Sequence, residues 1–126
     1  MIAQGIVAHL QHSGTRALLI DGDLLREELC KDLGFSAEDR SENIRSAGAI
    51  AMLAARSGIT SVCSLFSPLI GEREKIRTAC IERGIHFYEI YISTPLETCA
   101  LRDRKGLYDK TRMGLITEFT GIDSPY

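Results

Sequence analysis

Short apolar segments alternate along this chain with longer segments of helical periodicity. Three runs rich in apolar and β-branched residues, at 17–20, 59–66 and 85–92, are typical of buried strands. Between them, apolar residues recur three and four positions apart, which is the spacing of one helical face. Strands that alternate with helices of about ten residues or more pair in parallel through right-handed crossovers. The sequence therefore predicts an α/β fold built on a parallel sheet.

The boundaries of the helices follow from capping and stop signals. Ser36 can cap a helix, with Asp39 three residues later at the capping-box position, and Gly58 is a good C-terminal stop for it. Residues 102–112 and the tail 119–126 are expected to be irregular. Helices are predicted at 2–12, 24–33, between Ser36 and Gly58, at 72–83 and after Pro95.

Composition limits the classes of function. The 126 residues, 44% hydrophobic and 25% charged, suit one globular domain. A net charge of −2 argues against a general nucleic-acid or membrane-surface binder, and no apolar run approaches the roughly 20 residues that span a bilayer. Four scattered cysteines without a CxxC pair indicate free thiols in a reducing compartment. We therefore expect a cytoplasmic protein with neither a nucleic-acid nor a membrane partner.

Polar residues follow the predicted strands at their carboxyl ends, where ligands bind in open parallel sheets. Asp21 and Asp23 flank a glycine directly after the first run, and Arg26 lies one helical turn beyond Asp23. Two carboxylates in this place can hold magnesium or accept a proton, and an arginine can bind phosphate or sulfate. An isolated aspartate-rich turn is nevertheless more often structural than catalytic.

Three further residues of the long predicted helix can join this site: Arg40, Asn43 and Arg45. Guanidinium groups with an amide suit a nucleotide phosphate or sulfate. The alternative is a solvated helix face stitched by surface ion pairs, and the spacing favours neither. Ser67, at the end of the second run, is either a nucleophile or substrate contact, or a turn residue before Pro68.

The segment 102–112 concentrates positive charge. It is either a mobile lid that closes on polyphosphate or an exposed basic loop. Phe119, near the end of the chain, can stack on a base, although a core aromatic is the more common explanation. The positively charged residues of the segment 102–112 are Arg102, Arg104, Lys105, Lys110 and Arg112.

Taken together, the segments resemble adenylylsulfate kinase, the enzyme of sulfate activation. The similarity runs in order over nearly the whole chain, and seven blocks in register are far more specific than any one of them. The blocks are DGD at 21–23 with Arg26, DLGFS at 32–36 with Asp39 and Arg40, ENIR at 42–45, FSP at 66–68, TPLE at 94–97, RD at 102–103 with KGLY at 105–108, and FTGIDSPY at 119–126.

This resemblance implies transfer of the ATP γ-phosphoryl group to the 3′-hydroxyl of adenosine 5′-phosphosulfate (APS), giving 3′-phosphoadenosine 5′-phosphosulfate (PAPS) and ADP. It implies ATP and Mg²⁺ as cofactors, APS as the partner molecule, and a homodimer. Asp21 and Asp23 would orient or deprotonate the hydroxyl and support magnesium. Ser67 matches a serine described as a phospho-intermediate, a role that direct in-line transfer does not require.

The resemblance also assigns binding roles. Residues 102–114 would form the lid over the nucleotide. The phosphosulfate would be held by Arg26, Arg40 and Asn43, and the adenine sandwiched by Phe35 and Phe119. The remaining substrate contacts would be Phe66, Ser67 and Lys105, and the remaining lid residues Arg102, Asp103, Lys110 and Arg112.

The sequence departs from the family pattern in one large respect. Nothing in it fits GxxxxGK[ST], the loop whose amides and lysine cradle the ATP phosphates. We therefore expect one N-terminally truncated domain over residues 1–126, a three-layer P-loop kinase-like parallel sheet with helices on both faces that lacks its first, central strand. Two functions remain open: a kinase impaired in turnover, or a non-catalytic APS- or PAPS-binding paralogue serving as a regulatory or pairing subunit. There are two smaller departures from the family pattern. The family usually has asparagine at the position of Leu24, and it usually has a more polar sequence at residues 69–71.

Overall fold

The computed structural model describes residues 2–103 and 106–116, and it forms an α/β fold with a parallel sheet, as the sequence predicts. The chain divides into two compact units, Met1–Phe87 and Tyr88–Tyr126. The first unit contains α1 (Ile2–His12), β1 (Ala17–Asp21), α2 (Gly22–Glu28), α3 (Ala37–Arg56), β2 (Thr60–Ser64) and α4 (Ile70–Ile81). The second contains α5 (Leu96–Arg102) and α6 (Leu107–Arg112).

The sheet of the first unit consists of β1 and β2, paired in parallel from Ala17 opposite Thr60 to Asp21 opposite Ser64. This register brings the carboxyl ends of both strands to the same edge. Helices α1 and α3 pack on β2, and α1 and α2 pack on β1. The side chains buried between these elements include Ile20, Ile44 and Ala47.

The long helix α3 begins where the sequence predicts. Ser36 is its N-cap, and the Ser36 hydroxyl accepts a hydrogen bond from the main-chain amide of Asp39 at 3.1 Å. Helix α3 packs closely on α4 at Gly48, where a Cβ atom would lie 2.5 Å from Cδ1 of Ile76. A glycine at this point of the helix therefore permits close approach of the two helices.

Helix α2 begins two residues before the predicted start and is shorter than predicted. It begins at Gly22 because the carboxylate of Asp21 caps it, two residues before the start expected from apolar spacing. It ends at Glu28 because the amides of Leu29 and Cys30 both bond to the carbonyl of Leu25, which closes the last turn well short of residue 33.

The strand predicted at 85–92 is not formed. A strand exists only where a neighbouring strand accepts its hydrogen bonds, and in the described part of the chain the sheet has two members, β1 and β2. The prediction of a strand at 85–92, which was based on apolar composition, is therefore wrong. Tyr88, Ile90 and Tyr91 are instead largely exposed.

The second unit corrects another expectation, since residues 102–112 are largely helical. Gly106, at a φ of 66°, adopts the left-handed conformation that glycine favours and precedes α6. The carboxylate of Asp103 accepts hydrogen bonds from the amides of Tyr108 and Asp109 at 3.2 and 3.1 Å. These bonds satisfy the first turn of α6. Within residues 2–103 and 106–116, no helix is long and apolar enough to cross a membrane.

Candidate functional site

The acidic turn at the carboxyl end of β1 is built around the side chain of Asp21. Its Oδ1 accepts hydrogen bonds from the amides of Asp23 at 3.0 Å and Leu24 at 3.4 Å. One carboxylate oxygen is thus committed to capping α2, and Oδ2 takes no part in the cap. Asp23 lies on the first turn of α2 and is exposed. The pair that the sequence singled out does lie together, at the predicted edge of the sheet.

Gly22, between the two acids, is tightly enclosed. A Cβ atom there would lie 2.9 Å from Cδ2 of Leu65 and 3.5 Å from the carbonyl oxygen of Ser64. Its own carbonyl accepts hydrogen bonds from Nδ2 of Asn43 at 3.4 Å and from an Nη1–H of Arg26 at 3.5 Å. Both distances are long for hydrogen bonds, but the two donors converge on the same carbonyl oxygen of Gly22. The turn is therefore anchored on several sides.

Arg26 links this turn to an exposed aromatic ring. Besides Gly22, it donates from Nε to the carbonyl of Gly34 at 3.3 Å. Its guanidinium carbon lies 5.0 Å from the centroid of the Phe35 ring, a cation–π distance. These bonds use two of the five N–H groups of a guanidinium, so three remain for an oxyanion. Phe35 is 66% exposed and can offer a ring face to a base.

The polar residues of α3 separate into two groups. Asn43 is 3% exposed and points beneath the acidic turn, and Arg40 is half-buried one turn earlier. Arg45 instead forms a bidentate ion pair with Glu42, at 2.6 and 2.8 Å, in which both side chains are substantially exposed. The hydrogen bond from Arg45 lowers the pKa of Glu42. Arg45 therefore belongs to the solvated face, the alternative that its spacing left open.

The segment after β2 is held by a residue that sequence reasoning missed. Nη1 of Arg73, on α4, donates to the carbonyls of Ser67 and Pro68 at 2.8 and 3.0 Å. The Oγ atom of Ser67 is buried and has no hydrogen-bond partner among the described residues. Phe66 beside it is 53% exposed. No motif marks Arg73, because its role depends on α4 folding back on this turn.

The candidate lid residues lie in the second unit. Asp103 is engaged in capping α6, while Arg102 and Lys110 are exposed. Arg112 lies 3.6 Å from the Asp109 carboxylate. Burial, followed by the influence of Cys99, raises the pKa of Tyr108. Lys105 and Phe119 lie outside the described residues.

The residues at the acidic turn fit a magnesium ion only in part. Among the described residues, no group of three or more histidine, cysteine or acidic side chains could hold a metal. Magnesium, however, is commonly bound by one or two carboxylates together with substrate phosphates. Asp21 and Asp23 supply two carboxylates of the kind that this arrangement uses.

Comparison with known proteins connects this geometry to one family. The family model for adenylylsulphate kinase matches residues 1–126. The chain belongs to the adenylylsulfate kinase family. It is 46% identical over 125 residues to the adenylyl-sulfate kinase of Shewanella pealeana, covering 99% of this chain and 60% of that protein. A Synechococcus adenylyl-sulfate kinase is 43% identical over 122 residues, covering 97% of this chain and 67% of that protein. The chain thus spans about 60% of the length of the first of these relatives.

Solved structures of the adenylylsulfate kinase family share the fold. The Mycobacterium tuberculosis APS kinase in complex with AMPPNP and APS matches with a TM-score of 0.95 and 45% identity, covering 99% of this chain and 72% of that one. A hexameric APS kinase from Thiobacillus denitrificans matches with a TM-score of 0.65 and 33% identity, covering 75% of this chain and 19% of that one. The first match, over almost the whole chain, identifies the P-loop kinase fold of this family.

Proposed function

We propose that this chain provides the APS-binding half of an adenylylsulfate kinase, which phosphorylates the 3′-hydroxyl of APS with ATP. The observation that carries the proposal is the cluster of Asp21, Asp23, Arg26 and Phe35 at the carboxyl edge of a parallel sheet. It combines carboxylates for a hydroxyl, guanidinium donors for an oxyanion and an exposed ring for a base. A nucleoside phosphosulfate carries all three complementary groups.

In the proposed reaction, the 3′-oxygen bonds to the γ-phosphorus as the bond to the β-phosphate oxygen breaks, releasing ADP. The hydroxyl proton passes to a carboxylate, for which Asp21 Oδ2 and Asp23 are the candidates. Arg26 and Arg40 hold the phosphosulfate, while Phe35 stacks on adenine and Phe66 lines the same edge. Asp21 and Asp23 would hold magnesium, which would supply neutralisation of the phosphate charge when bound. Positioning and charge stabilisation suffice for this chemistry, without a protein nucleophile.

For the remaining residues the proposal takes over the roles that the family resemblance implies. These roles are adenine stacking for Phe119, which lies outside the described residues, and lid residues at Arg102, Asp103, Lys105, Lys110 and Arg112. Ser67 contributes through its main chain, since its buried Oγ offers no surface to a phosphoryl group. A homodimer and a cytoplasmic location, expected from the sequence, are part of this proposal.

A second candidate function is APS or PAPS binding without turnover, as in a regulatory or pairing subunit. The observation that favours it is that the cluster of Asp21, Arg26 and Phe35 serves binding of a nucleoside phosphosulfate whether or not phosphoryl transfer follows. Both candidates require an APS site in this chain, and they differ in ATP binding and turnover.

Isothermal titration with APS, beside ATP–magnesium, tests the proposal. We expect APS to bind, and Arg40→Ala to weaken it at least about 10-fold, as for a lost hydrogen bond to a charged group. Arg45→Ala is a matched control on the same helix, and it should leave the affinity within about 2-fold because Arg45 pairs with Glu42. ATP binding and turnover would favour the kinase, and APS binding alone the second candidate. If APS fails to bind, or both variants weaken it equally, the assigned site is wrong.

A further inference from the structure

We propose that Arg73 is a positioning residue that holds the turn after β2, so that the ring of Phe66 is presented to APS. This inference rests on the proposed function, in which Phe66 lines the APS site. Arg73 lies on α4, whereas the acids and arginines of the candidate site lie on α2 and α3. In this proposal its effect reaches APS through the main chain of the turn and not through a contact of its own.

The turn at residues 65–69 has no regular secondary structure. Strand β2 ends at Ser64, and α4 begins at Ile70. Pro68 has no main-chain N–H, so it cannot continue the hydrogen bonding of a strand. Leu69 is the N-cap of α4, and its side chain makes no capping hydrogen bond. The conformation of the turn therefore depends on groups from elsewhere in the chain.

Arg73 supplies polar contacts to this turn. Its Nη1 donates to the carbonyl oxygens of Ser67 at 2.8 Å and Pro68 at 3.0 Å. Both distances are typical of good hydrogen bonds, and donation from a charged group makes such bonds stronger than neutral ones. The Ser67 hydroxyl does not contribute, because its Oγ is buried with no hydrogen-bond partner among the described residues. One guanidinium thus holds two successive carbonyl groups.

The stability of α4 does not explain an arginine at this position. Arg73 is the fourth residue of the helix, and a cation near a helix N-terminus interacts unfavourably with the helix dipole. Its side chain is also half-buried. The neighbouring Glu72 is the acid expected in a first turn, and its carboxylate pairs with Lys75 at 2.8 Å. The two carbonyl acceptors in the turn therefore account for a guanidinium at this point.

Phe66 lies between this anchor and a second one. On its other side, Leu65 packs on the acidic turn, where its Cδ2 lies 2.9 Å from the point at which a Gly22 Cβ would stand. Phe66 itself is 53% exposed. An exposed ring whose neighbours are fixed loses less conformational freedom when a ligand binds. Releasing the Ser67 carbonyl would leave Phe66 fixed on one side only, and binding would then carry a larger ordering cost.

A double-mutant cycle in APS titration tests the proposal. Arg73→Met keeps an apolar stem without donors, and it should raise the APS dissociation constant about 10-fold, as for one lost hydrogen bond to a charged group. In the Phe66→Ala background the same change should raise it by about 2-fold or less, because the two residues act through one turn. Lys75→Met removes an exposed cation from the same helix, and it should leave the affinity within about 2-fold.

A second measurement reports on the turn without APS. The carbonyl ¹³C signal of Pro68, detected through the amide of Leu69, should move upfield in Arg73→Met because that carbonyl loses its hydrogen bond. The carbonyl signals of β1 should stay in place. Arg73→Lys keeps the charge and a donor but not the planar guanidinium, so it should weaken APS binding by only about 3-fold. It replaces the methionine variant in the cycle if that variant does not fold.

The proposal is overturned if Arg73→Met weakens APS binding equally with Phe66 present and with Phe66 replaced, because the guanidinium would then act on the ligand directly. An unchanged Pro68 carbonyl signal would show that Arg73 does not hold the turn. An equal loss of affinity in Lys75→Met would reduce the effect to general positive charge. If the unsubstituted chain binds APS and Arg73→Met binds it equally well, this inference alone fails. If the unsubstituted chain binds no APS, the proposed function fails with it.

Discussion

The guanidinium of Arg26 lies 5.0 Å from the centroid of the Phe35 ring and joins that ring to the acidic turn. The same side chain donates to the carbonyls of Gly22 and Gly34, one at the turn and one immediately before the ring. One residue thus connects the candidate catalytic acids with the candidate adenine platform. The contact with Arg26 orients the exposed Phe35 ring before a ligand binds, which reduces the ordering cost of binding a base.

Phe35→Ala should lower the affinity for APS by about 10-fold or more, because stacking of a base on an aromatic side chain contributes roughly 1–3 kcal/mol. Its effect on the melting temperature should be small, since the ring is 66% exposed. Isothermal titration and thermal unfolding measure the two effects separately. Phe35→Tyr keeps a stacking face and serves as the control. Unchanged affinity in the alanine variant would remove Phe35 from the binding site.

Ser67→Ala should leave APS binding within about 2-fold and the free energy of unfolding unchanged or raised by about 1 kcal/mol. The reason is that the buried hydroxyl has no partner among the described residues, so its removal eliminates an unsatisfied polar group. Titration and urea unfolding check both quantities. Mass spectrometry after incubation with ATP should find no phosphate on Ser67. Phosphoserine at this position would instead support the covalent role.

The features that sequence predicted best are those determined locally. The start of α3 follows from the Ser36 cap, which acts over three residues, and the parallel sheet follows from the alternation of apolar runs with helical periods. The strand predicted at 85–92 is absent because its formation does not depend on local sequence alone. A strand needs a hydrogen-bonding partner that is distant in sequence, and no local pattern identifies that partner.

The sequence predicted that Asp21 follows a strand at the carboxyl edge of the sheet, but it did not predict which contacts the side chains of the candidate site make. The carboxylates of Asp21 and Asp103 both accept hydrogen bonds from main-chain amides. Residue type alone does not distinguish an acid that caps a helix from an acid that binds a ligand. The contact from Asn43 to Gly22 spans 21 residues, and Arg73 reaches the Ser67 turn only after α4 has folded back. Such contacts depend on tertiary packing.

Gly48→Ala should destabilise the chain by about 1 kcal/mol in urea unfolding. Alanine favours a helix by about 1 kcal/mol over glycine, but its Cβ would lie 2.5 Å from Cδ1 of Ile76, and overpacking typically costs 1–3 kcal/mol. Ile76→Val removes that Cδ1 atom. The double variant should therefore be more stable than the sum of the two single changes indicates. If the changes in unfolding free energy of Gly48→Ala and Ile76→Val simply add, the alanine Cβ does not clash with Ile76, and α3 and α4 can move apart at this point.

Cys63 should react slowly with iodoacetamide although the residue lies on an exposed part of β2. Burial of its thiol, with a smaller contribution from Cys80, raises the pKa from an ordinary 9.0 to about 11. Because the thiolate is the nucleophile, the two-unit rise lowers its fraction at pH 8 by about 100-fold. Mass spectrometry of alkylation at Cys63 should show this difference between the folded chain and the chain in concentrated urea.

The same raised pKa predicts how stability depends on pH. The folded state favours the neutral thiol of Cys63, so its contribution is fully present below pH 9 and is lost as pH rises towards 11. The unfolding free energy of the unsubstituted chain should therefore fall more steeply over that window than that of Cys63→Ser. Measuring both chains at each pH cancels the titration of other groups common to them. Parallel pH profiles, or equal alkylation rates in folded and unfolded chains, would show that water reaches the Cys63 thiol.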